Sequence, residues 1–88
     1  MKPLSYYTDP GHGWFAVKRA ELERLGISGR ISSYSYMRGA TAYLEEDCDA
    51  SVYFNAVRAE TGQDPAYVTK HTDGRSPIRS YQSFKPGA

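Results

Sequence analysis

A single cysteine, Cys48, stands in the 88-residue chain, so an intramolecular disulfide cannot form and a zinc knuckle built from thiolates is excluded. No apolar run approaches the roughly 18 residues that span a bilayer. The opening "MKPLSYYTDP" is polar from its fifth residue rather than basic and then apolar like a secretory signal. A soluble, cytoplasmic protein is expected. A Walker loop, a Gly-x-Ser-x-Gly elbow and a dinucleotide fingerprint are all missing. With only two histidines, His12 and His71, neither at a recognised cysteine-enzyme spacing from Cys48, no nucleophile and base can be paired. The expectation is a non-enzymatic protein with no catalytic residue, no cofactor and no tightly bound metal.

The net charge of +1 excludes the dominant basic field that phosphate binding wants, but it hides a polarised distribution. Residues 1–40 carry six Lys/Arg against three Asp/Glu, residues 41–64 one against six, and residues 65–88 four against one. An acidic middle thus lies between two basic flanks. The length suits one small domain over residues 1–88, with an ordinary apolar fraction of 40%.

Local patterns supply the elements. "LSYYT" and "WFAV" are β-prone around the turn-forming "DPGHG", which reads as a hairpin with a five-residue loop. "KRAELERLGI" predicts a short helix in which Gly26 is the left-handed residue after the end and Ile27 folds back on Leu22. "ISSYSYM" and "ATAYLEE" flank Arg38-Gly39 as a second hairpin, with Tyr34 and Tyr36 on one face. Ala50, Tyr53, Phe54 and Val57 follow the spacing of a buried helical stripe that Asp47 or Asp49 would cap and Gly62 would end. "AYVTKH" and "PIRSY" around Asp73-Gly74 read as a third hairpin, and residues 83–88 as a frayed tail. The order is ββα-ββα-ββ, an α+β domain with two helices on one face of an antiparallel sheet.

Two features exceed what such a fold needs. Glu45, Glu46, Asp47 and Asp49 crowd five positions, whereas a helix start uses one or two carboxylates. Asp47 and Asp49 are therefore assigned to the helix start, and Glu45 and Glu46 to a surface for a basic partner groove. Eight tyrosines are also present. Tyr34, Tyr36 and Tyr43, with Arg38, suit a protein-binding hot spot or a stacking platform for single-stranded nucleic acid, or they simply pave a half-buried sheet face. The expected partner-binding set is Glu45, Glu46, Tyr34, Tyr36, Tyr43 and Arg38. The alternative is a small nucleic-acid-binding module that uses the basic flanks, Arg30 included, and the tyrosines.

Two resemblances follow. "DPGHG" resembles the motif that presents the zinc-binding histidine in a family of cell-wall amidases. That likeness implies His12, a helical glutamate such as Glu21 or Glu23, and His71 as ligands of a metal-dependent hydrolase. The family's second glycine is Trp14 here and its C-terminal glutamate is missing, and turn chemistry accounts for Asp9, Pro10, Gly11 and Gly13 without a metal. The stretches "YYTDPGHGWFAVKRAELERLGI" and "ISSYSYMRGATAYLEEDCDA", within residues 6–50, resemble a family of short proteins encoded by bacteriophages and plasmids of proteobacteria. In size, build and polarised charge the chain is also similar to anti-CRISPR and other anti-defence proteins. That likeness implies an inhibitor that occludes a host defence protein, such as a CRISPR surveillance complex or nuclease, without direct nucleic-acid binding.

Overall fold

The computed structural model describes residues 2–87. Strands β1 (Leu4–Thr8) and β2 (Gly13–Lys18) form the first hairpin, with Thr8 opposite Gly13. The loop is one residue shorter than expected, because Gly13 opens β2. Asp9 accounts for the tight turn: one carboxylate oxygen accepts the backbone N–H groups of Gly11 and His12, an Asx turn that competes with continued pairing.

Helix α1 (Arg19–Arg24) ends as its sequence dictates. Gly26 adopts φ +69°, its N–H donates to the Glu23 carbonyl, and the Ile27 N–H donates to the Leu22 carbonyl. These two bonds define a Schellman cap, and the apolar contact that accompanies it is made by Leu22 and Ile27, both buried. A Cβ on Gly26 would meet open space, so only backbone strain opposes substitution there. Gly26→Ala is accordingly expected to cost about 1 kcal/mol, read as a shift in denaturant midpoint at unchanged slope.

The second hairpin pairs β3 (Tyr36–Arg38) with β4 (Thr41–Glu45) around Gly39 at φ +58°. β3 begins later than its alternation predicts, since residues 28–30 form a 3₁₀ turn and residues 31–35 a loop. Tyr34 therefore does not share a sheet face with Tyr36. Helix α2 (Ala50–Thr61) buries Ala50, Tyr53 and Val57 and half-buries Phe54, and it stops at Gly62 with φ +80°. Its stripe and the Leu22 side of α1 pack on one face of the sheet, against Phe15 and Val17 of β2, Met37 of β3, and Ala42 and Leu44 of β4. Period-two alternation selects those strand residues and sends Trp14, Tyr36 and Tyr43 to the opposite face.

The C-terminal quarter departs from the expected third hairpin. β5 (Tyr67–His71) pairs with β1 in parallel, Leu4 against Tyr67 through Thr8 against His71, and the following segment does not pair back on it. Pro77 has no N–H to donate to a ladder, and Ser76 instead caps a 3₁₀ turn (Pro77–Ser80) by accepting the Ile78 N–H. The chain then crosses the second sheet face, buries Ile78, and adds the short β6 (Gln82–Ser83) beside β3. The result is an α+β domain whose six-stranded sheet is mixed rather than antiparallel, in the order β5-β1-β2-β4-β3-β6. The frayed tail expected over residues 83–88 is corrected at its start, where Ser83 is paired and Phe84 enters the core with its N–H on the Ser35 carbonyl; Ala88 lies outside the described residues.

Candidate functional site

Register assembles the site. Because β2 pairs with β4 so that Trp14 faces Glu45, the end of the first hairpin and the acidic stretch meet at one end of the sheet. Together with the 31–35 loop and Arg79 they enclose a cleft of about 310 Å³, into which His12, Trp14, Tyr34, Tyr36, Glu45 and Asp47 project, with Cys48 at its rim.

Of the acidic residues, Glu45, Asp47 and Asp49 depart from the roles assigned to them, and Glu46 is exposed as expected. Glu45 is not a free edge carboxylate: it is 6% exposed, and its Oε2 accepts the backbone N–H groups of Asp47 and Cys48, each at 2.8 Å. Asp49 stands at the N-cap position of α2 but makes no side-chain cap bond. Its carboxylate, 2% exposed, accepts from the Ser32 N–H at 3.0 Å, the Ser32 hydroxyl at 2.7 Å and the Ser35 hydroxyl at 2.5 Å. Ser35 Oγ in turn accepts the Glu45 N–H. Three donors from the loop satisfy the carboxylate better than one helical N–H, so Asp49 braces the 31–35 loop while Glu45 organises the turn before α2. Glu46 and Asp47 are the exposed members of the stretch. Glu46 leaves the cleft: it follows Glu45 by one residue, turns to the helix-bearing face and accepts the Tyr6 hydroxyl.

Of the expected binding residues, Tyr34, Tyr36 and Glu45 are brought together. Tyr34 is 71% exposed on the braced loop, and Tyr36 meets Trp14 edge-on at 6.3 Å between ring centroids. Tyr43 and Arg38 belong to a different group. Tyr43 packs 5.2 Å from Tyr81 and 6.2 Å from Tyr7, the Arg38 guanidinium lies 5.0 Å over Tyr81, and the Lys70 ammonium lies 5.5 Å over Tyr7. These cation-flanked rings border a second cleft of about 250 Å³.

One wall of the first cleft is fixed by a charge pair that the sequence does not announce. Asp9 is buried and accepts Arg79 Nε at 2.6 Å, Arg79 Nη2 at 2.8 Å and the Ser76 N–H at 3.0 Å, in addition to the two turn amides. The bidentate Arg79 guanidinium holds the Asp9 carboxyl well below the usual carboxylate range despite opposing burial, and the three backbone donors add to this. Arg79 also covers the Trp14 ring at 5.3 Å. The Cys48 thiol is shifted the other way, upward, chiefly by the Glu45 carboxylate beside it, which suppresses the thiolate a nucleophile requires.

The histidine pair of the hydrolase alternative does not meet. His71 Nδ1 bonds Thr8 Oγ1 at 2.7 Å and its Nε2 lies 3.3 Å from Asp73, whereas His12 stands beside Glu45 and Asp47. Compared with known proteins, the chain matches no family model, no curated protein and no solved structure.

Proposed function

We propose that the protein is a non-enzymatic inhibitor carried by a mobile genetic element, which acts in the host cytoplasm by docking on a defence protein or nucleic-acid-handling complex and occluding it. The observation that carries the reading is Tyr34, a large aromatic left exposed on a loop that three hydrogen bonds to buried Asp49 hold in place. An anchor ordered before binding loses little conformational entropy on docking, and tyrosine is a preferred hot-spot residue. Exposed Asp47 beside it and Glu46 on the neighbouring face give the anchor an acidic border suited to a basic groove. The resemblance over residues 6–50 supports the mobile-element origin, and the small single-domain build with polarised charge supports the anti-defence role.

The test is phage plating on bacteria that carry a CRISPR or restriction system and express the protein. Wild type is expected to raise plating on at least one such host, and Tyr34→Ala to weaken the effect roughly tenfold or more with Tm unchanged. Plating unaltered on every defended host, with the protein folded and abundant, overturns the reading.

A second reading, a single-stranded nucleic-acid binder, is favoured by Tyr7, Tyr43 and Tyr81 between Lys70 and Arg38. Submicromolar oligonucleotide binding that weakens steeply with salt and is lost in Tyr43→Ala, but not in Tyr34→Ala, selects it over docking.

A further inference from the structure

We infer that His12, Glu45 and Asp47 form a labile site for a divalent cation of the zinc type, a ligand set distinct from the His12 and His71 pair suggested by the turn motif. Among the described residues, these three bring one ligand atom each to within 4.8 Å of one another.

A carboxylate cluster alone shows nothing, but here a buried atom asks for a partner. Glu45 Oε1 is sequestered from solvent and makes no hydrogen bond. Its sister oxygen is fixed by two backbone N–H groups, so the carboxylate cannot rotate to relieve Oε1 without losing both. His12 Nδ1 lies 3.4 Å from Oε1. That is the separation of two ligands on a tetrahedral zinc, roughly 3.3 Å when each bond is about 2.0 Å. His12 is held in turn by its own N–H on Asp9. The third ligand, Asp47, is exposed and has a carboxylate oxygen within 4.8 Å of the other two ligand atoms. Imidazole with two carboxylates suits Zn²⁺, Co²⁺ or Mn²⁺ better than Mg²⁺ or Ca²⁺, which prefer oxygen alone.

A second unsatisfied atom lines the same cleft. The Trp14 indole Nε1–H is buried and has no acceptor. An indole only donates, so it does not ligate a metal, but it can donate to an oxygen bound to one. A cation at the site thus satisfies the orphan Glu45 acceptor. Arg79, the cation already in the cleft, is committed to Asp9 and does not serve Glu45. Two of the three ligands are exposed, so the ion exchanges freely and is lost on chelation.

Trp14, the only tryptophan in the chain, lines the site and reports on it. Titration of the metal-free protein with Co²⁺ is expected to quench its fluorescence with one-to-one stoichiometry and micromolar affinity, reversed by Zn²⁺ but not by millimolar Mg²⁺. His12→Ala and Asp47→Asn should each weaken binding roughly tenfold or more, and His71→Ala should leave it unchanged. Both altered side chains are exposed, so circular dichroism should show native folds. Absence of quenching at millimolar Co²⁺, or equal quenching in wild type, His12→Ala and Asp47→Asn, overturns the site. So does quenching that depends on His71.

Discussion

Asp49→Ala is expected to destabilise the fold by about 3 kcal/mol and lower Tm by on the order of 15 °C. The carboxylate is almost fully buried and accepts from the Ser32 amide, the Ser32 hydroxyl and the Ser35 hydroxyl. Its removal leaves all three without an acceptor and opens a void at the start of α2. Asp49→Asn should fall between, because its carbonyl oxygen keeps one acceptor while the amide group faces donors. Calorimetry gives the stability, and hydrogen exchange locates the change: amides of residues 32–35 should lose protection before those of β2 and β4 do. Docking through Tyr34 should weaken in the alanine variant even well below its melting point, since the loop then has to be ordered on binding. If Asp49 instead capped α2 like any N-cap residue, the cost would be about 1 kcal/mol and the exposed amides would be those of the first helical turn. A cost that small, with the loop still protected, refutes the brace.

The second large effect belongs to Asp9. Its carboxyl titrates below the ordinary range when folded, because of Arg79 first and the backbone donors after it. The unfolded chain therefore binds the proton more readily, and stability rises with pH across that window. The contribution is complete above the ordinary carboxylate pKa and drains away as pH falls below about 4. Asp9→Asn should remove this acid limb and lower Tm at pH 7 by roughly 10 °C or more, because the half-buried guanidinium of Arg79 loses its counter-charge. Melting curves from pH 2 to pH 7 on both proteins check it. Parallel curves for wild type and variant at low pH would show that Asp9 is not the group responsible.

What the sequence reveals about this fold is whatever is local. Gly26 and Gly62 mark helix ends because a left-handed residue needs no distant partner to be recognised. The 50, 53, 57 stripe shows for the same reason. Parallel pairing of β1 with β5 is invisible, since it leaves no turn between the partners and depends on residues some sixty positions apart. Asp73-Gly74 misleads because a turn signal reports that the chain bends, not that the flanking segments pair. Position alone marks four carboxylates near a helix start but not their exposure: Glu46 is exposed as expected, whereas Glu45 is buried and Asp47 is exposed. Asp49 is claimed by hydroxyls 14 and 17 positions away, which no positional rule can weigh. His12 and Glu45 are each conspicuous alone, but only the β2 to β4 register sets them side by side.

The pairing of Asp9 with Arg79 spans 70 positions and ties the turn of the first hairpin to the 3₁₀ turn after β5. During synthesis the nascent protein holds His12, Trp14, Tyr34 and Asp47 long before the residue that closes their wall has left the ribosome. A prematurely terminated product that stops after α2 would carry every acidic and most aromatic determinants on an unlatched turn. The wall of the cleft is therefore complete only once the segment through Arg79 has been made.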